Sequence, residues 1–535
     1  MMETKTKYLF LLLVVGGVMF FHNLGGRDLW EPDETRYAVA AREMRETGNW
    51  MLPHLNGEVY AEKPPLFFWF VNLSVFCLGK DTELAIRFPS ALAGLAIVVL
   101  TFFFGSELFN LRTGLFSSLA LATCFFFLQL SRWVMLDSLF TFLFFLSLFC
   151  LYKGFEREEG RQKRYLLAGL FMALGVLTKG PIAYLVIIIL VLLGLFQKQM
   201  TAIWNRKLLF GVLFSFGVVF LWLLPACCAG GEDYTRRILL GQTIGRLTGT
   251  EKHFHPESIF FYFLRFPIDF FPWIVFLPAS ILSGLQRRKD LKKGFLFLIV
   301  WFLAVFFFFN LSKGKKDNYL LPLYPAAAMM IGLFWDSELG DLERRRGLVW
   351  GLVFLTLLFL SGVILFGTGI AEKLYPALIG YHSLGLWGLL YFLLGSFLSV
   401  LLILKRKKRA SFITFTVTLM FFHLFLSGVL LPGFNSQLSM REFSAGVLKR
   451  MKPGDELKTM YPKYYGLLYY TRRPYIEEIK EGNQLDQAFR SPQRVYVVVQ
   501  TKRLEQIRKS EEIQVETVEQ IKVGNQCLSL ISNQQ

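Results

Sequence analysis

Carboxylates and cations interleave in four short stretches set between long apolar runs. The first is "LWEPDETRYAVAAREM", Leu29 to Met44, where Asp33 and Glu34 precede Arg36 and Tyr37. The second, "GEVYAEKPP", carries Tyr60, Glu62 and Lys63. The third, "LSRWVMLDSLF", sets Arg132 and Asp137 in an otherwise apolar segment, and the fourth, "NLSKGKKDNYLLPLYP", brings Lys313, Lys315, Asn318 and Tyr319. Ionisable groups at the edge of hydrocarbon are costly unless paired or wetted, so such islands mark a polar cavity. Mixed carboxylates and cations there suit a site that holds a phosphate and activates or steadies a group beside it. A plainer reading stands next to this one for Leu29 to Met44 taken alone: Asp33 as a helix N-cap and Glu34 as a first-turn residue favoured by the helix dipole. On that helix Tyr37, Ala41 and Met44 form the apolar side, and Arg42, Arg45 and Glu46 point away, where arginines touch anionic headgroups. Lys179, in "TKGP", reads most simply as a snorkelling lysine at a short helix end.

The elements that hold these groups are membrane spans. The chain has 535 residues, 54% hydrophobic and 16% aromatic, with only 18% charged, which excludes an ordinary soluble domain. Apolar runs of about 18 residues or more match roughly 30 Å of hydrocarbon. The net charge of +18 resides largely in short loops beside those runs, so it speaks for membrane topology and not for nucleic acid. Six basic clusters mark the cytoplasmic face: Lys5 with Lys7, the loop from Lys153, Lys198 to Lys207, "RRKDLKK" from Arg287, "ERRR" ending at Arg346, and "KRKKR" from Lys405. Spans are expected near 8–23, 84–106, 114–131, 136–152, 165–178, 181–197, 208–228, 269–285, 294–310, 318–335, 347–368, 382–404 and 411–431, about thirteen in all. Pro64 to Gly79 is too short for a span, and counting it would put the Lys153 loop on the wrong face, so it reads as an interfacial helix. The loops of Asp33, Asp137, Lys179, His255 and Lys313 then share the face opposite the basic clusters. The first apolar run reads as an uncleaved span. After "LPGFNS" the pattern changes to short helices and strands, giving a membrane domain at 1–432 and an α/β domain at 433–535. The six cysteines form no disulfide framework or zinc spacing, and no P-loop or dinucleotide fingerprint is present. A lipid or polysaccharide transporter would step polar groups through the bilayer, often on internal repeats; these islands cluster at one face, and no repeat is visible.

The run "LWEPDETRYAVAAREMRETGNWMLPHLNGEVYAEKPPLFFWFV", followed by "ELAIRFPSALAGL", resembles the N-terminal signature of the bacterial 4-amino-4-deoxy-L-arabinose lipid A transferases and their GT-C relatives, the polyprenyl-phosphate-sugar glycosyltransferases. Protein O-mannosyltransferases are more distant kin. "MLD", "TKGP" and "SKGK…Y" recur in the same order, so the resemblance covers most of the membrane part. It implies an α-helical polytopic GT-C fold with about thirteen transmembrane helices, interfacial helices and a C-terminal α/β periplasmic domain. It also implies an enzyme of the bacterial inner membrane that moves 4-amino-4-deoxy-L-arabinose, with inversion, from undecaprenyl phosphate to a lipid A phosphate. A protein or glycan hydroxyl is the alternative acceptor. The partners are then the lipid-linked donor, that acceptor and membrane lipids, with no nucleic acid. Carried over by position, Asp33 and Asp137 match essential acidic residues, with Glu34 beside them in the catalytic set. Lys63 and Tyr319 resemble positions that hold the lipid phosphate, joined here by Arg36, Lys313 and Tyr60. Glu62 and His255, or His253 in its place, resemble a pair beside that phosphate that accepts a divalent metal ion, although no cofactor is required. The family continues "SKGK" with a proline-containing turn; this chain has "SKGKKDNY", which leaves the role of Asn318 open.

Overall fold

In the computed structural model, which describes residues 2–239, 241, 257–286, 289–337, 345–374, 382–460, 463–480, 482–510, 516–524 and 526–533, helices dominate. The first nine to be used below are α1 (Met2–Phe21), α2 (Asp33–Thr47), α3 (Leu66–Leu78), α4 (Glu83–Leu108), α5 (Leu111–Ala122), α6 (Phe125–Ser131), α7 (Leu136–Glu156), α8 (Arg161–Lys179) and α9 (Leu185–Gln197). Among the described residues eight helices are long and apolar enough to cross a membrane, and two bent pairs bring the number to as many as ten. The three other segments expected to span fall on α8, on the short apolar helix Pro181–Gln197 and on the 3-10 turn Asp317–Leu323 that runs into Tyr324–Ser337, none of which meets that standard. The bends lie where hydropathy is blind. Between α5 and α6 the axis turns by 69°, because Cys124 is extended and starts a new helix. Between Phe261–Asp269 and Trp273–Leu285 it turns by 109°, at Pro272, whose missing N–H cannot continue a helical ladder.

The chain divides into two compact units: Met1–His22, Ser90–Leu224 and Arg236–Leu426 form the first, and Asn23–Pro89, Pro225–Thr235 and Ser427–Gln535 the second. In the first, glycines let helices pack backbone to backbone: a Cβ on Gly169 would lie 2.1 Å from the carbonyl oxygen of Gly211, and one on Gly114 2.6 Å from that of Phe102. Gly180, with φ of +91°, ends α8, and Pro181 opens the 3-10 turn that leads into α9.

In the second unit α2 is rich in alanine, starts with two acidic residues and stops at Gly48, which adopts the left-handed conformation. A two-residue hairpin follows, β1 (His54–Leu55) against β2 (Glu58–Val59), turning through Asn56 and Gly57, both at positive φ. α3 begins after Pro64 and Pro65 and ends at Gly79. The C-terminal part is a five-stranded mixed sheet of β3 (Glu456–Met460), β4 (Glu477–Ile479), β5 (Val495–Gln500), β6 (Glu516–Val523) and β7 (Gln526–Ser532), ordered β4-β3-β5-β7-β6. β3 runs parallel to β4 and β5; β7 is antiparallel to β5 and β6. β5 is buried on both faces, which accounts for its unbroken "VYVVV". Val495, Val497 and Val499 pack with Met460, Leu504 and Ile531. The molecule is therefore a polytopic helical membrane protein with a small C-terminal sheet domain.

Candidate active site

The first turn of α2 carries the polar residues of the second unit. Pro32 is the N-cap residue and no side chain caps the helix, so Asp33 sits one position inside and its carboxylate pairs with Arg36 instead. Tyr60 is buried, and its hydroxyl donates to Oε2 of the exposed Glu62 at 3.4 Å. Burial disfavours the charge on Arg36, yet Tyr60, Tyr37, Asp33 and Glu62 outweigh it and push the guanidinium pKa upward, so Arg36 is a permanent cation. Burial raises the Tyr60 phenol well above its usual value, which keeps its proton available for donation. Lys63 is buried next in sequence to Glu62. Asp33, Arg36, Tyr60 and Glu62 thus form one polar cluster of a fixed cation, a hydroxyl and two carboxylates.

Beneath that turn lies an ion-paired frame. Glu34 is 1% exposed and accepts from Arg27 Nη1 at 2.7 Å, from Arg87 Nε at 2.8 Å and from the backbone N–H of Trp30 at 3.1 Å. Arg87, from the start of α4, also donates to the carbonyls of Leu24, Arg27 and Asp28 at 3.1, 2.5 and 2.7 Å. Burial alone would raise the Glu34 carboxyl, but Arg27 and Arg87 hold it down at about 2. Burial in turn lowers Arg27 to about 10 despite its carboxylate partner. Glu34 was grouped with Asp33 on sequence grounds; its oxygens are committed to this frame, and it steadies α2. Arg87 had no assigned role. Its signal was a lone guanidinium in "ELAIRFPS", an apolar helix start that obliges a buried partner.

Two further arginines depart from the sequence reading. Arg42 does not point away: it is buried and donates to the carbonyls of Tyr469, Leu468 and Arg473 at 3.0 to 3.1 Å. It thereby caps carbonyls of the last turn of the helix Tyr465–Tyr470 and of the chain just after it. Arg45 pairs with Asp81 at 2.7 Å and reaches Asn72 at 3.0 Å. Glu31 accepts from Thr35 Oγ1 at 2.7 Å and from the backbone N–H of Gly466, and burial raises its carboxyl to about 7.

The first unit holds its own centre. Asp137, 2% exposed at the first turn of α7, accepts from Lys179 on one oxygen and from Asn318 Nδ2, at 2.9 Å, on the other. The Lys179 ammonium stands 4.7 Å from the Tyr319 ring centroid and 5.3 Å from that of Phe140. Lys179 is therefore not a snorkelling surface lysine, because only 8% of its side chain is exposed. Asn318, left open by the sequence, fixes the carboxylate from the opposite side. Lys313 is exposed, and its carbonyl accepts from the backbone N–H of Glu257 at 3.5 Å. Arg132 has a structural task, donating to the carbonyls of Met19 and His22 at the end of α1, 2.6 and 2.5 Å away. His253 and His255 lie outside the described residues. Among the described residues no three His, Cys, Asp or Glu side chains come together as metal ligands would.

Residues 5–239 match the family model described as dolichyl-phosphate-mannose-protein mannosyltransferase. The undecaprenyl phosphate-alpha-4-amino-4-deoxy-L-arabinose arabinosyl transferase of Yersinia enterocolitica is 29% identical over 365 residues, 67% of this chain and 65% of that protein. Its namesake from Pectobacterium atrosepticum is 33% identical over 345 residues, 63% of this chain and 60% of the other. These alignments thus span somewhat less than two thirds of the relatives' own length. The crystal structure of ArnT from Cupriavidus metallidurans bound to undecaprenyl phosphate superposes with a TM-score of 0.82 at 20% identity, covering 99% of this chain and 98% of that one. The fold is therefore that of the GT-C membrane glycosyltransferases. Within that class the chain is similar to the ArnT transferases and, over its N-terminal part, to the O-mannosyltransferase model, which supports a polyprenyl-phosphate-sugar-dependent glycosyltransferase.

Proposed function

We propose that this chain transfers 4-amino-4-deoxy-L-arabinose, with inversion, from undecaprenyl phosphate to a lipid A phosphate on the periplasmic side of the bacterial inner membrane. The observation that carries this reading is the similarity to transferases named for that lipid-linked sugar, joined to a fixed cation, Arg36, beside the Asp33 carboxylate on α2. Arg36 and Lys63 meet the donor phosphate, with the Tyr60 hydroxyl as a neutral donor beside them. Charge grows on that phosphate as the glycosidic bond breaks, and preorganised cations stabilise it without reorganising. An acceptor phosphate is already an anion at neutral pH and needs no general base. Asp33 then orients the donor by pairing with the aminosugar ammonium. This chemistry requires no cofactor; a divalent ion at Glu62 and His255 would be revealed by loss of activity after chelation.

The family model's name favours a second acceptor, a protein hydroxyl. There Asp33 would take the hydroxyl proton. Mass spectrometry of lipid A and of glycoproteins from a deletion strain separates the two, as does the pH profile of the purified enzyme. The phosphate reading expects lipid A to lose the aminosugar and the wild-type rate to stay flat from about pH 6 to 8. Unchanged lipid A, with protein losing sugar and a rate that climbs across that window, would overturn it.

A further inference from the structure

A cavity of about 1170 Å³ opens in the first unit, reached by following α7 away from Asp137. Phe149, on its wall, lies about 18 Å along the helix from Asp137 at 1.5 Å per residue. Lys153, near the end of α7, engages Glu107 on the cavity's rim, so the cavity opens toward the end of that helix remote from Asp137. Its walls include Leu100, Phe103, Phe109 and Phe149, and its rim includes Lys5 and Arg112.

The charges on the rim are unequal in what they have left to offer. Glu107 is engaged by Lys153 and by Arg157, the latter at 3.3 Å. Asp336 accepts from Asn110 Nδ2 at 2.6 Å and from Thr113 Oγ1 at 3.0 Å. Both carboxylates therefore already hold partners from the protein. Lys5 and Arg112 are exposed and, among the described residues, take part in no ion pair. The Lys5 ammonium stands 5.0 Å from the Phe103 ring centroid, at the boundary between the apolar wall and the rim. The volume exceeds the roughly 300–1,000 Å³ usual for compact small-molecule pockets.

We propose that this cavity binds an anionic phospholipid, its phosphate pairing with Lys5 and Arg112 and its acyl chains lying along Phe103, Phe109 and Phe149. The lipid bridges α1 and the α4–α5 turn from the leaflet opposite Asp137. It is a site separate from sugar transfer and does not depend on the activity proposed above.

Native mass spectrometry and thermal shift on the full-length, delipidated chain in detergent test this, with phosphatidylglycerol and phosphatidylcholine of equal chain length as probes. Phosphatidylglycerol should bind more tightly and stabilise more. With about fivefold per cation near a membrane surface, the double variant Lys5→Gln/Arg112→Gln should lose roughly 25-fold in affinity for it and approach the phosphatidylcholine level. The charge-conserving pair Lys5→Arg/Arg112→Lys should retain the preference, which separates lost charge from misfolding. Equal binding of the two lipids by the wild type, or an undiminished preference in the glutamine variant, would overturn the proposal. So would the same stabilisation by inorganic phosphate alone, or displacement of phosphatidylglycerol by equimolar undecaprenyl phosphate.

Discussion

Replacing Glu34 by glutamine removes a buried charge while keeping the shape of the side chain, and so isolates what the paired frame under α2 contributes. The Glu34 carboxyl falls from an ordinary 4.5 to about 2 in the folded protein. At roughly 1.4 kcal/mol for each tenfold, the folded state favours the charged form by about 3 kcal/mol. Because the folded value is depressed, that contribution is present above pH 4.5 and disappears only as the pH falls through about 2; a neutral isostere removes it at every pH. The figure agrees with the roughly 3–5 kcal/mol lost when one partner of a buried ion pair is deleted, since Arg27 and Arg87 are then left desolvated without a counter-charge. Hydrogen exchange measured by mass spectrometry on peptides covering Asp33–Thr47 reads the effect locally. Glu34→Gln should speed exchange there by roughly a hundredfold, and sugar transfer should fall as Asp33 and Arg36 lose their support. Exchange in these peptides within about threefold of wild type would refute the frame as the support of α2.

In the first unit, Asp137→Asn and Lys179→Met should each destabilise by roughly 3–5 kcal/mol in thermal unfolding, and the double variant by clearly less than the sum; strict additivity would show that the pair is not coupled. Glu31 holds its proton up to about 7 in the folded state and releases it near 4.5 when unfolded, so stability should fall as the pH rises between those values, and Glu31→Gln should flatten that slope. A wild-type melting temperature indifferent to pH across this window would sink the assignment. A Cβ on Gly466 would lie 2.6 Å from Glu31 Oε1, so Gly466→Ala should cost about 1–3 kcal/mol and remove much of the same pH dependence, read by the same melting series.

Sequence reading reached furthest where burial and periodicity coincide. The C-terminal strand "VYVVVQ" and the flanking helices Arg441–Arg450 and Thr501–Ser510 emerge from pattern alone, because an unbroken run of β-branched and aromatic residues and helical spacing each answer to a local cause. The family signature likewise led to the GT-C fold. Bends escaped it: 114–131 is one continuous apolar run, and hydropathy does not record that the backbone turns by 69° inside it. The hairpin at His54–Val59 was announced by Asn56-Gly57, a turn signal overshadowed by the charged residues around it. Partner choice was the least legible. Lys179 and Asp137 are 42 residues apart, and Arg87 and Glu34 53, so no local spacing pairs them. Only the fold states which desolvated cation answers which carboxylate, and that is why Lys179 passed for a snorkelling residue and Arg42 for a headgroup contact.

The grip of Arg42 on the carbonyls of Leu468, Tyr469 and Arg473 joins residues more than 420 positions apart, and Asn56 makes two such bonds with the backbone of Ile476. During synthesis the loop bearing Asp33 leaves the ribosome well before these partners do. Until every intervening span has been inserted, that loop must wait in an unfinished state, its buried cations still wetted. The loop that carries Asp33 is thus completed only by a segment made after the membrane helices: a chain interrupted after Lys408–Phe425 would hold its spans and still lack the backbone that locks this polar loop.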